Sequence, residues 1–351
     1  MTRRSDRLAG RPSVENPELA VDNLPHRLCV APMMDWTDRH CRFFLRLVTR
    51  HARLYTEMVT TGALLHGDVP RHLEFDTSEH PVALQLGGSD PAALARCARL
   101  GADWGYDEIN LNVGCPSERV QTGSFGACLM AEPALVADCV RAMRAAAAVP
   151  VTVKHRIGLD RNEDYGFVRD FVGTVAAAGC AVFIVHARNA VLKGLSPKQN
   201  REVPPLRYDV VHRLKREFPA LTFVANGGLT RWDAIDRELA HVDGVMLGRA
   251  AYHDPWLLAQ ADWHAYGDEA PGRSRAAVLR ALIPYAEAEL QRGTALRAIA
   301  CHVLGLYHGQ SGGRRFRRIL SDSVKLKCSG PELFLEALAA VEPVAAETLV
   351  A

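Results

Sequence analysis

A cysteine stands in the stretch Asn110-Leu-Asn-Val-Gly-Cys-Pro-Ser117, three residues past Asn112 and between Gly114 and Pro116. The stretch reads as the end of a β-strand breaking into a glycine-dotted loop that runs to Gly126. A thiol on such a loop has three possible roles: nucleophile, general acid or inert buried group. A nucleophile needs a neighbouring base to form its thiolate, and no local His supplies one. A general acid needs to stay protonated near neutrality, as an ordinary thiol does. The residue types lean towards Cys115 as the acid; the other cysteines are assigned to packing.

Other short apolar runs also stop at distinctive residues, and nearly every end carries a polar one. These ends are Pro32-Met33-Met34, Glu57, Gln85, Lys154 with Arg156, His186 with Arg188, Asn226-Gly227-Gly228 and Gly248-Arg249. Lys154, His186, Gln85 and Asn112 together make a polar lining of the kind a flavin ring needs. A Lys stabilises an anionic reduced flavin and a Gln can bond its pyrimidine edge. Asn226-Gly227-Gly228 and Gly248-Arg249 suit a phosphate, through exposed backbone N–H groups and a guanidinium fork.

The elements that must position these residues alternate. Apolar runs near Leu28–Pro32, Leu54–Met58, Val82–Leu86, the Cys115 stretch, Val151–Lys154, Val182–Val185, Leu221–Ala225 and Asp243–Leu247 are each followed by helical spacing. Examples are Thr37–Arg50, Asp90–Leu100, Pro133–Ala147, Asp164–Ala178, Leu206–Glu217 and Trp232–Leu239. Strand–helix alternation implies parallel strands, and eight repeats within about 230 residues fit a closed (β/α)8 TIM barrel, whose chemistry gathers at the strand C-termini. An open doubly wound sheet is the competing architecture, but no Gly-x-Gly-x-x-Gly follows the first strand.

Before the barrel, residues 1–24 read as a polar tail, and the barrel itself as 25–260. From 261 to 345 the pattern changes to an all-helical domain, with helices at Arg273–Arg292, Leu296–Gly309, Arg314–Cys328 and Pro331–Val341. The whole chain of 351 residues carries a net charge of +2 and 48% apolar residues, so a sizeable core is expected and any nucleic-acid surface must be local. Nine cysteines with no Cys-x-x-Cys pair argue against a disulfide framework or a structural zinc and for a cytoplasmic setting. No apolar run is long enough to span a bilayer.

Two basic clusters remain. Arg188, Lys193, Lys198, Arg201 and Arg207 face one acid, Glu202, and Gly312-Gly-Arg-Arg-Phe-Arg-Arg318 sets four arginines around one aromatic. Either is a solvated face or an RNA-backbone contact in which Phe316 stacks on a base.

Taken together, Pro32-Met-Met-Asp-Trp-Thr-Asp38, Leu111-Asn-Val-Gly-Cys-Pro116, Val153-Lys-His-Arg156, His186-Ala-Arg188, Asn226-Gly-Gly228 and Gly248-Arg249 resemble the tRNA-dihydrouridine synthases over about residues 28–328. Lys193 to Leu206 is similar to the A subfamily, which modifies uridines 20 and 20a of the D-loop. The resemblance implies an FMN-bound TIM barrel, NADPH as reductant, and a helical domain that grips tRNA. It implies FMN contacts at Pro32, Met33, Met34, Gln85, Lys154, His186, Asn226, Gly227, Gly228, Gly248 and Arg249, with Cys115 as proton donor. Asn112 and Arg156 would hold the flipped uracil, and Lys198, Arg201, Arg314 and Arg317 would contact tRNA. No metal, membrane or obligate protein partner is expected. His155 departs from the family pattern, which more often has a small or hydroxyl residue there; the mechanism is left intact, and the side chain is expected within reach of substrate. The alternative enzyme is an FMN-dependent dehydrogenase of a free pyrimidine, of the dihydroorotate type; a non-enzymatic RNA-binding barrel is the other rival.

Overall fold

A computed structural model of the chain describes residues 25–162, 164–268 and 273–342. The 1–24 tail and residues 343–345 of the expected helical domain lie outside the described residues. Eight parallel strands close into one barrel in sequence order, with β1 pairing β8. They are β1 (Leu28–Val30), β2 (Arg53–Thr60), β3 (Val82–Gly87), β4 (Glu108–Val113), β5 (Val151–Arg156), β6 (Val182–His186), β7 (Thr222–Asn226) and β8 (Gly244–Leu247). This is the (β/α)8 architecture expected from the alternation.

Side chains alternate across each strand, so all but β4 and β5 feed both an inner and an outer apolar core. Cys29, Tyr55, Ala83, Ile184, Val224 and Met246 fill the barrel interior. Ile109, Leu111, Val153, Phe183, Phe223 and Leu247 point outward and are fully buried against the surrounding helices. Helix starts follow local capping chemistry. Asp90 accepts the N–H of Ala93 at 2.6 Å ahead of Pro91, and Asp38 accepts that of Cys41 at 2.9 Å.

The C-terminal helices Arg275–Gln291 and Leu296–Val303 pack on the first barrel helix, Arg39–Val48, and share its core. Arg39 grips Glu289 with two hydrogen bonds of 2.9 and 2.5 Å, Phe43 stacks on Tyr285 with ring centroids 3.8 Å apart, and His302 pairs with Asp38 at 3.1 Å. Residues 261–268, expected to open the helical unit, stay attached to the barrel. Asp262 accepts from Thr49 Oγ1 at 2.6 Å, and Tyr266 OH donates to the Leu28 carbonyl at 3.3 Å.

Two expected helices are shorter than their sequence pattern. The helix from Leu296 ends at Val303, before Gly305, where a Cβ would stand 2.5 Å from the His253 carbonyl oxygen. The stretch Arg314–Cys328 forms two helices, Gly313–Leu320 and Lys325–Cys328, because Asp322 turns its carboxylate back to the N–H groups of Val324 and Lys325. In the first of these, Gly313, Phe316, Ile319 and Leu320 are buried while Arg314, Arg315, Arg317 and Arg318 are exposed. Phe316 is fully buried against Tyr307, so it cannot serve as the base-stacking residue the motif suggested.

Candidate active site

A cavity of about 1370 Å³ opens at the C-terminal ends of the strands. Its wall includes Pro32, Met33, Met34, Gln85, Asn112, Cys115, Lys154, Arg156, His186, Arg201, Asn226, Gly227, Gly228, Gly248 and Arg249. Residues far apart in sequence meet here because parallel strands deliver all their C-termini to one rim. Lys198 is exposed and outside that wall, and Arg314 and Arg317 are exposed on the helix Gly313–Leu320, which packs on Glu332–Ala339. The structure therefore separates the expected tRNA contacts from the chamber, apart from Arg201.

The Cys115 loop is pinned rather than loose. Asn112 Oδ1 accepts the backbone N–H groups of Gly114 and Cys115 at 3.1 and 3.0 Å, and Ala127 N–H donates to the Cys115 carbonyl at 2.9 Å. Close approach on the far side requires Gly126, which has φ of +78° and whose Cβ would lie 2.6 Å from the Cys115 carbonyl oxygen. Arg156 Nε donates to the Gly114 carbonyl at 3.1 Å, and Gln121 Nε2 to that of Pro116 at 2.8 Å. The half-buried thiol donates to Ser117 Oγ at 3.7 Å, and among the described residues no side-chain base is hydrogen-bonded to it. That arrangement suits a proton donor better than an activated nucleophile.

Positive charge crowds the same wall. Lys154 Nζ donates to Asn226 Oδ1 at 3.1 Å across the mouth. Burial, and then the neighbouring Arg156, push the Lys154 ammonium down to about 7. Burial likewise pushes Arg156 down to about 10. His186 is held well below its ordinary value by burial, reinforced by Arg156, Lys154, Arg188 and Arg201. A chamber in which cations depress one another is complementary to an anion that would restore them. Arg249 carries a surface ion pair to Glu202 at 2.5 Å, a partner that the strand-end pattern did not reveal.

The loops after β7 and β8 present bare backbone to the cavity. Gly227 and Gly228 hold φ of +117° and +70°, and added Cβ atoms would approach His186 Cδ2 at 2.8 Å and Leu206 Cδ1 at 2.4 Å. This cradle and the cations fit a phosphorylated planar cofactor, and Gln85, Asn226 and Lys154 line the same cavity. Among the described residues, no group of three or more His, Cys, Asp or Glu side chains could hold a metal.

The family model described as dihydrouridine synthase matches residues 29–342. The chain belongs to the dihydrouridine synthase family. Family members are flavin-dependent oxidoreductases that reduce uridine in tRNA, and this enzyme is one of them. It is 58% identical over 298 residues to the tRNA-dihydrouridine(20/20a) synthase of Pseudomonas putida, covering 85% of this chain and 89% of that one. It is 59% identical over 321 residues to the protein of the same name from Xanthomonas campestris, covering 92% and 95%. With the one from Synechocystis it shares 55% over 323 residues, covering 92% and 97%.

The dihydrouridine synthase chamber also contains residues that sequence reasoning passed over. Trp36, Arg71, His72 and Phe125 line the cavity. Trp36 stacks on Tyr252 with centroids 4.4 Å apart. Its signal was its place within the Met-Met-Asp-Trp motif; Arg71 and His72 follow Pro70 on a short helix with no comparable mark. His155 does not face the chamber. Its neighbours Lys154 and Arg156 point inward, so it points outward and is buried against Phe171 and Phe183. Among the described residues, no helix is long and apolar enough to cross a membrane.

Proposed function

We propose that the enzyme binds FMN in the barrel mouth, draws its reducing equivalents from NADPH, and saturates the C5–C6 bond of uridines 20 and 20a in the tRNA D-loop. The observation that carries this reading is the pinned Cys115 thiol on the same wall as the Lys154–Asn226 pair and the Gly227–Gly228 cradle. Pro32, Met33, Met34, Gln85, Lys154, His186, Asn226, Gly227, Gly228, Gly248 and Arg249 are the residues that would hold FMN. When bound, the flavin supplies the hydride that uracil C6 receives.

The chain's own residues perform the rest. Cys115 gives its thiol proton to C5, so hydride and proton together add two hydrogens across the bond, and solvent then reprotonates the thiolate. Reaching the base requires extrusion of the nucleotide, and the chamber at the barrel mouth has room for it. Arg156 is fixed by Gly114, Asn189 and Asn200 carbonyls through Nε and Nη1, which leaves Nη2 to face a uracil carbonyl. Asn112 spends its oxygen on the loop and one amide hydrogen on Gln85, so a second amide hydrogen is its contribution to the base.

Positions 20 and 20a are supported by the names of the similar proteins and by the Lys193–Leu206 segment, which places Lys198 on the exposed surface and Arg201 at the chamber wall. The arginines of Gly313–Leu320 form a second exposed basic face suited to phosphates. Nucleoside mass spectrometry of tRNA from a deletion strain, mapped by position, tests the assignment. Loss of dihydrouridine at 20 and 20a is expected, and loss confined to other positions overturns it.

A further inference from the structure

The inward face of β4 is polar from floor to rim: Glu108, Asn110 and Asn112 occupy alternate positions, and all are buried. Apart from β5, which turns Thr152, Lys154 and Arg156 inward, the other strands fill most of the barrel interior with apolar side chains. At the floor, Glu108 is fixed as an acceptor. His26 Nε2 lies 2.6 Å from its Oε2, Arg53 Nη1 lies 3.5 Å from the same oxygen, and Tyr55 OH donates to Oε1 at 2.7 Å. These cationic and donor neighbours keep the carboxylate ionised in spite of its burial.

From that acceptor a one-way chain of hydrogen bonds climbs the barrel. Thr152 Oγ1 donates to Glu108 Oε1 at 2.6 Å and accepts from Asn110 Nδ2 at 2.8 Å. Asn110 Oδ1 accepts from Gln85 Nε2 at 2.8 Å, and Gln85 Oε1 accepts from Asn112 Nδ2 at 2.9 Å. Asn112 Oδ1 then accepts the N–H groups of Gly114 and Cys115. Gln85, Asn110 and Thr152 are direct partners in the ladders of β3, β4 and β5, which is why their short side chains meet.

We propose that Thr152 and Asn110, anchored on Glu108, are positioning residues for the reaction. They set which way the amides of Gln85 and Asn112 face and so fix the Cys115 loop. An ionised carboxylate only accepts, so Thr152 must donate downward and accept from above. Each amide in turn presents its NH₂ down and its oxygen up, ending with the oxygen that holds the loop. One charge at the floor thereby removes the two-fold ambiguity of three amides. If Asn112 flipped, its NH₂ would confront the N–H groups of Gly114 and Cys115 and release the loop.

The positioning role rests on the proposed function for turnover alone; loop order is measurable without tRNA. The test compares full-length Thr152→Val, which keeps shape but cannot accept or donate, with Thr152→Ser, which restores the hydroxyl. Tyr55→Phe is the control, removing a buried bond to the same carboxylate oxygen off the chain. Amide hydrogen exchange of the flavin-loaded proteins at Gly114 and Cys115 is expected to speed up about tenfold in Thr152→Val and return to the parental rate in Thr152→Ser. It should stay parental in Tyr55→Phe, and tRNA turnover should follow the same order. Unchanged exchange in Thr152→Val overturns the inference. So does equal loosening in Tyr55→Phe or in Thr152→Ser, since either would mark a general loss of packing. Should Thr152→Val not fold, Thr152→Ala, which likewise has no donor or acceptor, carries the same expectation. The expected exchange order, fast in Thr152→Val and parental in Thr152→Ser and Tyr55→Phe, with no dihydrouridine formed by any variant or the parent would count against the proposed reaction, not against the relay.

Discussion

Lys154 and Asn226 meet across the mouth of the barrel, ammonium to amide oxygen at 3.1 Å. The contact joins β5 to β7, past the intervening β6, and holds the Lys154 ammonium, which burial pushes down, at the chamber wall. Its charge is poorly compensated by design of the site: a neutral amide faces it, and Arg156 lies beside it. The same ammonium that suits an anionic ligand is a burden on the ligand-free fold.

That burden has a sign. Lys154 falls from 10.5 to about 7 on folding, so between those values the unfolded chain holds the extra proton. The penalty is complete below about pH 7 and fades as the pH rises to 10.5. Lys154→Met should therefore raise the melting temperature of flavin-free protein at pH 6, by about 2 °C or more, and the gain should shrink towards pH 9. Thermal melts across that range check it. A gain that does not depend on pH would remove the electrostatic explanation.

Cys115→Ala should still purify with its flavin and be reduced by NADPH at the parental rate, because the thiol is not among the cofactor contacts. Dihydrouridine formation should fall by about 10²–10⁴, the usual worth of a positioned proton donor. Single-turnover assays on tRNA decide it. Full activity would mean that the proton comes from elsewhere.

Arg314→Ala with Arg317→Ala removes two exposed charges that make no ion pair with any described residue. Filter-binding titrations over a salt series should show weaker tRNA binding and a log–log slope shallower by about 2, with flavin reduction untouched. An unchanged slope would place the phosphate contacts on another face.

Phe316→Ala should cost about 3–5 kcal/mol in a denaturant titration, since the ring is fully buried against Tyr307. A variant of parental stability that loses tRNA affinity would instead restore the stacking role.

The sequence by itself determined the barrel and the roster of its rim. Period-2 and period-3.6 patterns in strict alternation admit few folds, and polar residues at strand ends are legible because a closed parallel barrel sends every C-terminus to one face. Cys115, Lys154, His186 and the Asn226-Gly227-Gly228 turn were therefore readable one by one. The polar alternation Glu108, Asn110, Asn112 was also present in the letters, but its meaning depends on Gln85 and Thr152 on adjacent strands, and register is a tertiary property. For the same reason only the structure could turn His155 outward, bury Phe316 beneath its arginines, give Glu202 to Arg249 and pin the Cys115 loop at Gly126. Local sequence specifies which side chains are available. Which of them meet is set by how the strands and helices pack, and that is where hydrogen-bond direction, burial and charge acquire their values.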